Sequence, residues 1–247
     1  MQDVTPQAGP HRQPLRSGQP VLRLVALTRI FKQAEREIRV LDGASADFWP
    51  GEAVALVGPS GAGKSTLLHV TGLLETPNSG QVIVDGRDCT GLDDNARTSV
   101  RRSEMGFVYQ FHQLLPEFSA LENVAMPLMI QGTPRAAAKA RAAELLGLMG
   151  LEARLDHRPA QLSGGEQQRT AICRALAPQP KLLLADEPTG NLDPETSEYV
   201  FQGLLALITT TGVAALIATH NFDLAKRMHR ILRLDRGKLV EIQHSQL

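Results

Sequence analysis

The chain has 247 residues and a hydrophobic content of 43%, which predicts one globular unit that can bury a core, alone or with an inserted lobe. Its 26 basic residues balance its 26 acidic ones, so no overall field draws it onto nucleic acid, and we predict no nucleic-acid partner. Cys89 and Cys173 have neither the number nor the spacing of a disulfide framework or a zinc site, and we interpret them as packed thiols.

The first 20 residues differ in composition from the rest of the chain. They contain four prolines and lack the apolar core of a signal peptide, which predicts a flexible tail ahead of a folded domain at residues 21–247. The longest apolar runs, such as residues 213–218, are far shorter than the ~20 residues that a membrane-spanning helix requires. We therefore expect no segment that crosses a bilayer.

The first part of the folded domain predicts strands and two short helices. Residues 22–48 alternate weakly between apolar and polar, and a short apolar strand is predicted at Ala53–Val57. After Lys64, apolar residues recur at helical spacing, so the order is strand, glycine-rich loop, helix. Residues 81–88 predict another strand, and residues 93–102 predict a short basic helix capped by its first residue, an aspartate.

A longer helix is predicted after residue 133. Thr133 fits the N-cap, Pro134 the first helical position and Gly150 the terminator. The residues predicted to form its apolar face are Ala138, Ala142, Leu145, Leu146 and Met149.

Further apolar runs predict the strands of a parallel sheet. Residues 182–185 and Ala214–Ala218 are fully apolar, as strands buried on both faces are, and residues 107–109 predict a briefer strand. Residues 230–242 predict two strands around the turn Asp235-Arg236-Gly237. Strands that alternate with helices in this way indicate the α/β class.

A glycine-rich stretch follows the predicted strand at Ala53–Val57. It fits the pattern G-x-x-x-x-G-K-[ST], placed between a strand and a helix as that motif requires. Its glycines let backbone N–H groups face the phosphates of a nucleotide; Lys64 would reach the β- and γ-phosphates, and Ser65 would ligate Mg²⁺. The residues predicted here to bind ATP are Gly58, Pro59, Ser60, Gly61, Ala62, Gly63, Lys64, Ser65 and Thr66.

Two acidic residues follow the predicted strand at residues 182–185. Asp186 ends the strand, where an acidic partner for Mg²⁺ is expected, and Glu187 stands beside it. A carboxylate next to the metal position can polarise the water that attacks the γ-phosphate. We therefore predict Asp186 as a metal ligand and Glu187 as the catalytic base.

Gln110 and His220 also follow short apolar strands. In open parallel sheets, ligands bind beyond the carboxyl ends of the strands. Lys64, Gln110, Asp186 and His220 are therefore expected to converge on one edge of the sheet, although they are far apart in the sequence. We predict Gln110 among the nucleotide-binding residues and His220 as a catalytic sensor of the γ-phosphate.

A second sharp motif is the stretch Ser163-Gly164-Gly165-Glu166. Ser163 and Glu166 fit a capping box before a helix, and the two glycines between them expose backbone N–H groups at a second anion site. One nucleotide does not need two phosphate cradles within one subunit. We therefore predict a two-fold pair of chains, with each ATP between Lys64 of one copy and residues 163–165 of the other.

These motifs, in this order, resemble the ATPase cassette of ABC transporters over nearly the whole chain after the tail. In that family the stretch at residues 163–166 is called the signature. The full set that carries the resemblance is residues 58–65, Gln110, residues 162–166, residues 182–187, the triplet Asn191-Leu192-Asp193, and His220.

The resemblance implies both a fold and further site residues. It implies a P-loop core with a parallel sheet, an antiparallel β lobe, and a helical lobe inserted at approximately residues 93–165. Gln110 is implied to contact Mg²⁺ and to couple to a membrane partner, and Asp193 to lie at the seam of the dimer. Phe31 falls where the family stacks an aromatic ring, commonly tyrosine, on adenine.

Residues 109–124 are similar to one branch of the family, the ATPases of bacterial lipoprotein-releasing complexes. That similarity implies a homodimer bound to two membrane subunits with large ectodomains, and membrane contact through those partners only. It also implies a peripheral position at the cytoplasmic face of the inner membrane of a Gram-negative bacterium. FtsE-type regulatory subunits and MacB-type efflux ATPases remain alternatives, and the partner that residues 111–124 bind would distinguish them.

Overall fold

A computed structural model describes residues 18–33 and 36–246. The tail predicted at residues 1–20 therefore lies largely outside the described residues. Within the described ranges, no helix is both long enough and apolar enough to cross a membrane.

The strands build two sheets. In chain order they are β1 (Leu22–Gln33), β2 (Arg36–Phe48), β3 (Ala53–Val57), β4 (Ser79–Val84), β5 (Arg87–Asp88), β6 (Met105–Val108), β7 (Leu182–Asp186), β8 (Ala214–Ala218), β9 (Arg230–Asp235) and β10 (Lys238–Ile242). One sheet, in the order β2-β1-β4-β5, is antiparallel. The other, in the order β10-β9-β3-β8-β7-β6, is parallel except for β10, which pairs antiparallel with β9.

Most predicted strands are confirmed, with small shifts in their ends. The strand at Ala53–Val57 is β3, and the runs at residues 182–185 and Ala214–Ala218 form β7 and β8. The segment predicted as one strand at residues 81–88 is two strands, β4 and β5. The reason is that Asp85 has a φ of 48° and Gly86 a φ of 77°, which turn the chain between them.

The helices alternate with the strands of the parallel sheet. They are α1 (Lys64–Thr71), α2 (Asp94–Glu104), α3 (Ala120–Ile130), α4 (Arg135–Leu148), α5 (Gly164–Leu176), α6 (Pro194–Thr211) and the short α7 (Phe222–Ala225). Single 3₁₀ turns lie at Glu152–Arg154, Pro159–Gln161 and His244–Gln246. The predicted α/β class is confirmed.

Of the two predicted N-caps, that of α2 is confirmed and that of α4 is wrong. Asp93 caps α2 as expected, since its Oδ1 accepts a hydrogen bond from the backbone N–H of Ala96 at 2.8 Å. The predicted N-cap of α4 is wrong: Pro134, not Thr133, is the N-cap, with an extended ψ of 139°. The reason is the short connection between the two helices: the N–H of Thr133 donates to the carbonyl of Leu128 at 3.0 Å, so Thr133 belongs to the turn that ends α3.

The parallel sheet divides the core into two layers. Successive side chains of a strand point to opposite faces, so Ala53 and Ala55 of β3 enter one apolar cluster while Val54 and Leu56 enter the other. The first cluster includes the apolar faces of α3, α4, α5 and α6, and the second includes α1 and the antiparallel sheet. Because both faces are covered, β3, β7 and β8 read as continuous apolar runs.

The predicted burial of the α4 face and of the two cysteines is confirmed. The apolar face of α4 is buried as predicted. Both cysteines are buried, as expected of packed thiols, and burial raises the pKa of Cys173 to about 12.

Candidate nucleotide-hydrolysis site

The loop between β3 and α1 is shaped by its glycines. Gly58 and Gly63 have φ values of 154° and 100°. A Cβ on Gly58 would lie 2.9 Å from the carbonyl oxygen of Leu234, and one on Gly63 would collide with Val40. Gly63 is also the N-cap of α1 and supplies no side-chain cap, so the N–H groups of the first helical turn stay available to an anion.

Lys64 closes over this loop. Its Nζ donates to the carbonyl oxygen of Gly58 at 2.9 Å and to that of Pro59 at 3.1 Å. A phosphate oxygen would be a stronger acceptor than either carbonyl, because a hydrogen bond between two charged groups exceeds one to a neutral oxygen. Ser65 is exposed in the first turn of α1, beside the exposed loop residues Ser60 and Gly61.

The carboxyl ends of four strands bring the predicted site residues to one edge of the parallel sheet. Lys64 follows β3, Gln110 follows β6, Asp186 ends β7 and His220 follows β8. These four strands are consecutive in the sheet, in the order β3-β8-β7-β6. The edge therefore collects an ammonium, an amide, a carboxylate and an imidazole around the glycine-rich loop.

Glu187 and His220 form a direct pair at this edge. Nδ1 of His220 lies 2.9 Å from Oε2 of Glu187, and the exposed fractions of the two side chains are 67% and 15%. Glu187 has a φ of 48°, a conformation uncommon for a residue with a Cβ, which turns its side chain out of the line of β7. The N–H of Glu187 donates to the carbonyl of Ala218 at 2.9 Å, so the β7 and β8 ends stay joined.

Gln110 is held by the turn that follows Glu187. Its Nε2 donates to Oδ1 of Asn191 at 2.9 Å, and Nδ2 of Asn191 donates back to the backbone carbonyl of Gln110 at 3.3 Å. The turn itself is closed by the N–H of Gly190, which donates to the carbonyl of Glu187 at 3.0 Å. The amide and the predicted base are thus linked through five residues of chain.

The signature stretch opens α5 with the predicted capping box. Oγ of Ser163 accepts from the N–H of Glu166 at 3.3 Å, and Oε2 of Glu166 accepts from the N–H of Ser163 at 2.8 Å. Arg154 adds a third bond, from its Nε to Oε1 of Glu166 at 2.8 Å. The guanidinium of Arg154, and then Ser163, hold the pKa of the Glu166 carboxyl below its usual range.

The signature stretch also contacts the start of α6. A Cβ on Gly165 would collide with Cγ2 of Thr196, so only glycine fits there. Asp193 is the N-cap of α6, and its Oδ1 accepts from the N–H of Thr196 at 3.0 Å. No hydrogen bond or ion pair among the described residues joins residues 163–166 to the loop at residues 58–65.

Phe31 lies in β1 and is half-buried. The guanidinium of Arg29 lies 4.5 Å from the centre of its ring, and Nε of Arg29 donates to Oε2 of Glu75 at 3.1 Å. The ring is thus fixed from one side by a cation–π contact.

The donor set at the sheet edge suits Mg²⁺ carried by a nucleotide. Ser65 offers a hydroxyl, Asp186 a carboxylate and Gln110 an amide oxygen, and Mg²⁺ prefers such oxygen ligands together with substrate phosphates. Among the described residues, no group of three or more His, Cys, Asp or Glu side chains could hold a metal by itself.

Several contacts of the site carry no sequence signal. Arg174 in α5 donates from Nη2 to the carbonyl of His112 at 2.9 Å and from Nη1 to that of Gln113 at 2.6 Å. Gln168, also in α5, contacts the ring of His112 and donates to the carbonyl of Tyr109 at 3.4 Å. The segment after Gln110 is thus anchored on α5, the helix that the signature stretch begins, and only the tertiary fold creates this link.

Comparison with known proteins places the chain in a family. The ABC transporter family model matches residues 41–190. A solved dimeric structure of the ATP-binding cassette MJ0796, in a post-hydrolysis state bound to ADP and Pi, superimposes with a TM-score of 0.81 at 38% identity; the match covers 90% of this chain and 98% of that one. The chain belongs to the ABC transporter family and carries its ATP-binding, ATP-hydrolysing domain.

Within this family the chain is similar to ATP-binding proteins of lipoprotein-releasing systems. It is 63% identical to LolD 1 of Rhodospirillum rubrum over 90% of the chain and 98% of the relative. It is 59% identical to LolD of Paramagnetospirillum magneticum and 60% identical to LolD 2 of Caulobacter vibrioides, over 98% and 96% of those relatives. These identities confirm the branch of the family that residues 109–124 predicted.

Proposed function

We propose that this chain is the ATPase subunit of a complex that releases lipoproteins from the inner membrane toward the outer membrane. Lipoprotein release is supported by the sequence identity of 55–63% between this chain and relatives named LolD, over nearly their whole length. The observation that carries the chemistry is the Glu187–His220 pair at the sheet edge that also holds Lys64, Gln110 and Asp186.

Binding of Mg-ATP is assigned to the glycine-rich loop and its neighbours. The backbone N–H groups of residues 58–66 and the ammonium of Lys64 hold the phosphates, and Phe31 supports adenine. Ser65, Asp186 and Gln110 supply the protein's oxygen ligands for Mg²⁺. The metal, when bound, neutralises charge on the β- and γ-phosphates.

Hydrolysis is assigned to the pair at the ends of β7 and β8. Glu187 accepts a proton from the water that attacks the γ-phosphate. His220, 2.9 Å from that carboxylate, orients it and senses the γ-phosphate. Because the pair joins the ends of two adjacent strands, the base is fixed in position before the reaction begins.

A complete site requires two copies of the chain. Within one copy, no hydrogen bond or ion pair among the described residues links the signature stretch to the glycine-rich loop, although both present N–H groups at a helix N-terminus. A two-fold pair brings Ser163, Gly164, Gly165 and Glu166 of one copy onto the ATP of the other, with Asp193 at the seam. The dimeric state of the MJ0796 cassette, 38% identical to this chain, supports the same arrangement.

Substitution of the base tests the hydrolytic assignment. Glu187→Gln keeps the size and hydrogen-bonding shape of the side chain but cannot accept the proton, so kcat should fall by about 10²- to 10⁴-fold. The binding of an ATP analogue to the variant should be preserved, which separates loss of chemistry from loss of the fold. Turnover at the parental rate in the variant would refute Glu187 as the base.

The surface proposed for the membrane partners lies beside α3. A groove of 420 Å³ there is lined by apolar side chains that include Leu115, Met126 and Ile130. Two apolar side chains of this part of the chain are strongly exposed: Ile130, which lines the groove, is 61% exposed, and Phe111, which follows Gln110, is 72% exposed. We assign this face to the two LolC/LolE-type membrane subunits, through which the chain reaches the cytoplasmic side of the inner membrane in a Gram-negative bacterium.

Co-purification from solubilised membranes tests the partner. The tagged chain should recover two large-ectodomain subunits, and Ile130→Asp at the end of α3 should lose them. Leu148→Asp is the matched control, because Leu148 ends α4, is 60% exposed and lies outside the proposed surface. Recovery of an FtsX-type or MacB-type partner would leave the ATPase assignment intact and overturn lipoprotein release.

A further inference from the structure

Asn191 belongs to the triplet Asn191-Leu192-Asp193, but the capping of α6, which uses the side chain of Asp193, does not involve the side chain of Asn191. It precedes Asp193, the N-cap of α6, and it is exposed, yet its side chain is turned toward Gln110 and makes two hydrogen bonds with it. Asn191 thus connects the turn that begins at Glu187 with the residue that follows β6.

The hydrogen-bonding pattern fixes which way the amide of Gln110 faces. A backbone carbonyl can only accept, so the atom of Asn191 that contacts the carbonyl of Gln110 is Nδ2. Oδ1 of Asn191 then faces the side chain of Gln110 and requires a donor, which only Nε2 can supply. Oε1 of Gln110 is thereby turned away from Asn191.

The surroundings leave the amide little other freedom. The backbone on both sides of Gln110 is anchored on α5, through the carbonyl of Tyr109 and the carbonyl of His112. A Cβ on Gly190 would lie 3.2 Å from Nε2 of Gln110, so the turn packs closely against the amide. What remains undetermined without Asn191 is the rotation that exchanges Oε1 and Nε2.

We propose that Asn191 is a positioning residue that presents Oε1 of Gln110, rather than its NH₂ group, to the nucleotide-bound metal. The inference rests on the proposed role of Gln110 as a metal ligand. An amide oxygen ligates a hard cation, whereas an NH₂ group does not. Asn191 therefore links the conformation of the turn after Glu187 to metal affinity at the other side of the site.

A double-mutant cycle on the full-length chain tests this inference. Mn²⁺ binding in the presence of a non-hydrolysable ATP analogue is measured from the loss of the free-ion EPR signal relative to the same analogue without protein, because the analogue alone also binds Mn²⁺. Asn191→Ala should weaken Mn²⁺ binding by roughly two- to tenfold, the factor that the net contribution of one hydrogen bond represents. In the Gln110→Ala background the same substitution should have no further effect, and Asn95→Ala, at an exposed asparagine of α2, should match the parent.

Three outcomes would overturn the inference, and one of them would also remove the metal role of Gln110. Equal weakening in both backgrounds would show that Asn191 acts without Gln110 and would overturn the inference, as would unchanged Mn²⁺ binding in Asn191→Ala. If Gln110→Ala itself binds Mn²⁺ as the parent does, the metal role of Gln110 fails together with the inference, while the Glu187 and Lys64 assignments stand.

Discussion

The carboxylate of Glu166 makes two stabilising contacts at the start of α5. It closes the capping box of α5 with Ser163 and pairs with Arg154 in the 3₁₀ turn before the helix. Both contacts favour the ionised form, and Arg154 contributes the most to lowering the pKa of Glu166. Folding is therefore favoured by this group above the ordinary glutamate pKa of ~4.3, and the benefit is lost as the pH falls through the lower folded value.

Replacement of Arg154 makes that pH dependence measurable. Arg154→Ala should lower the free energy of unfolding at pH 7 by no more than ~1 kcal/mol, because Arg154 is 42% exposed and solvent screens the pair. The deficit should shrink as the pH falls below ~4, where Glu166 takes up its proton. Urea unfolding at pH 7 and at successively lower pH checks this. A deficit that did not change with pH would mean that Arg154 stabilises the fold by packing alone.

Single residues also show where sequence reasoning ends. Lys64, Asp186, Glu187 and His220 could be placed because each follows a recognisable strand or lies in a motif. The 2.9 Å contact between Glu187 and His220 could not, since it depends on the adjacency of β7 and β8 and on the positive φ of Glu187. The bonds of Asn191 to Gln110 likewise arise only once distant loops have been brought together.

At the scale of the element, Ser163 is expected to serve both its helix and its partner copy. Ser163→Ala removes the capping hydrogen bond of α5 and should cost about 1 kcal/mol of stability. Asp93→Ala removes the corresponding bond of α2 and should cost a similar amount. Only Ser163→Ala should also lower ATP turnover, because only Ser163 is assigned to the nucleotide of the other copy.

Thermal melting and steady-state hydrolysis, measured on both variants, separate the two roles. If both variants lost stability equally and hydrolysed ATP at the parental rate, Ser163 would be a helix cap and nothing more.

Elements differed in how well their ends could be foreseen. Helix α4 was predicted from its apolar periodicity, and its buried face is confirmed, because periodicity reports burial directly. Its first residue was misplaced, since the N–H of Thr133 is bound by Leu128 of the preceding helix. A cap preference that is considered for the start of one helix does not show that the end of the preceding helix already includes the same residue.

At the scale of the molecule, the order of strands explains why a linear list of motifs becomes a site. Four consecutive strands of the parallel sheet deliver their carboxyl ends to one edge, so residues from 64 to 220 meet there. Helix α5 anchors the segment after Gln110. The α/β class followed from the alternation of elements, whereas this anchoring required the fold.

The proposed dimer should form only when nucleotide is bound. The proposed interface consists largely of ATP held between the glycine-rich loop of one copy and the signature stretch of the other, so the purified chain should sediment as a monomer without nucleotide. With ATP and Mg²⁺, Glu187→Gln should sediment as a dimer, because binding still favours the closed pair while hydrolysis no longer reopens it. The double variant Lys64→Ala with Glu187→Gln is the control and should stay monomeric, since it lacks the ammonium that we propose holds the phosphates. A dimer of the parent that persists without nucleotide would place the interface elsewhere on the molecule.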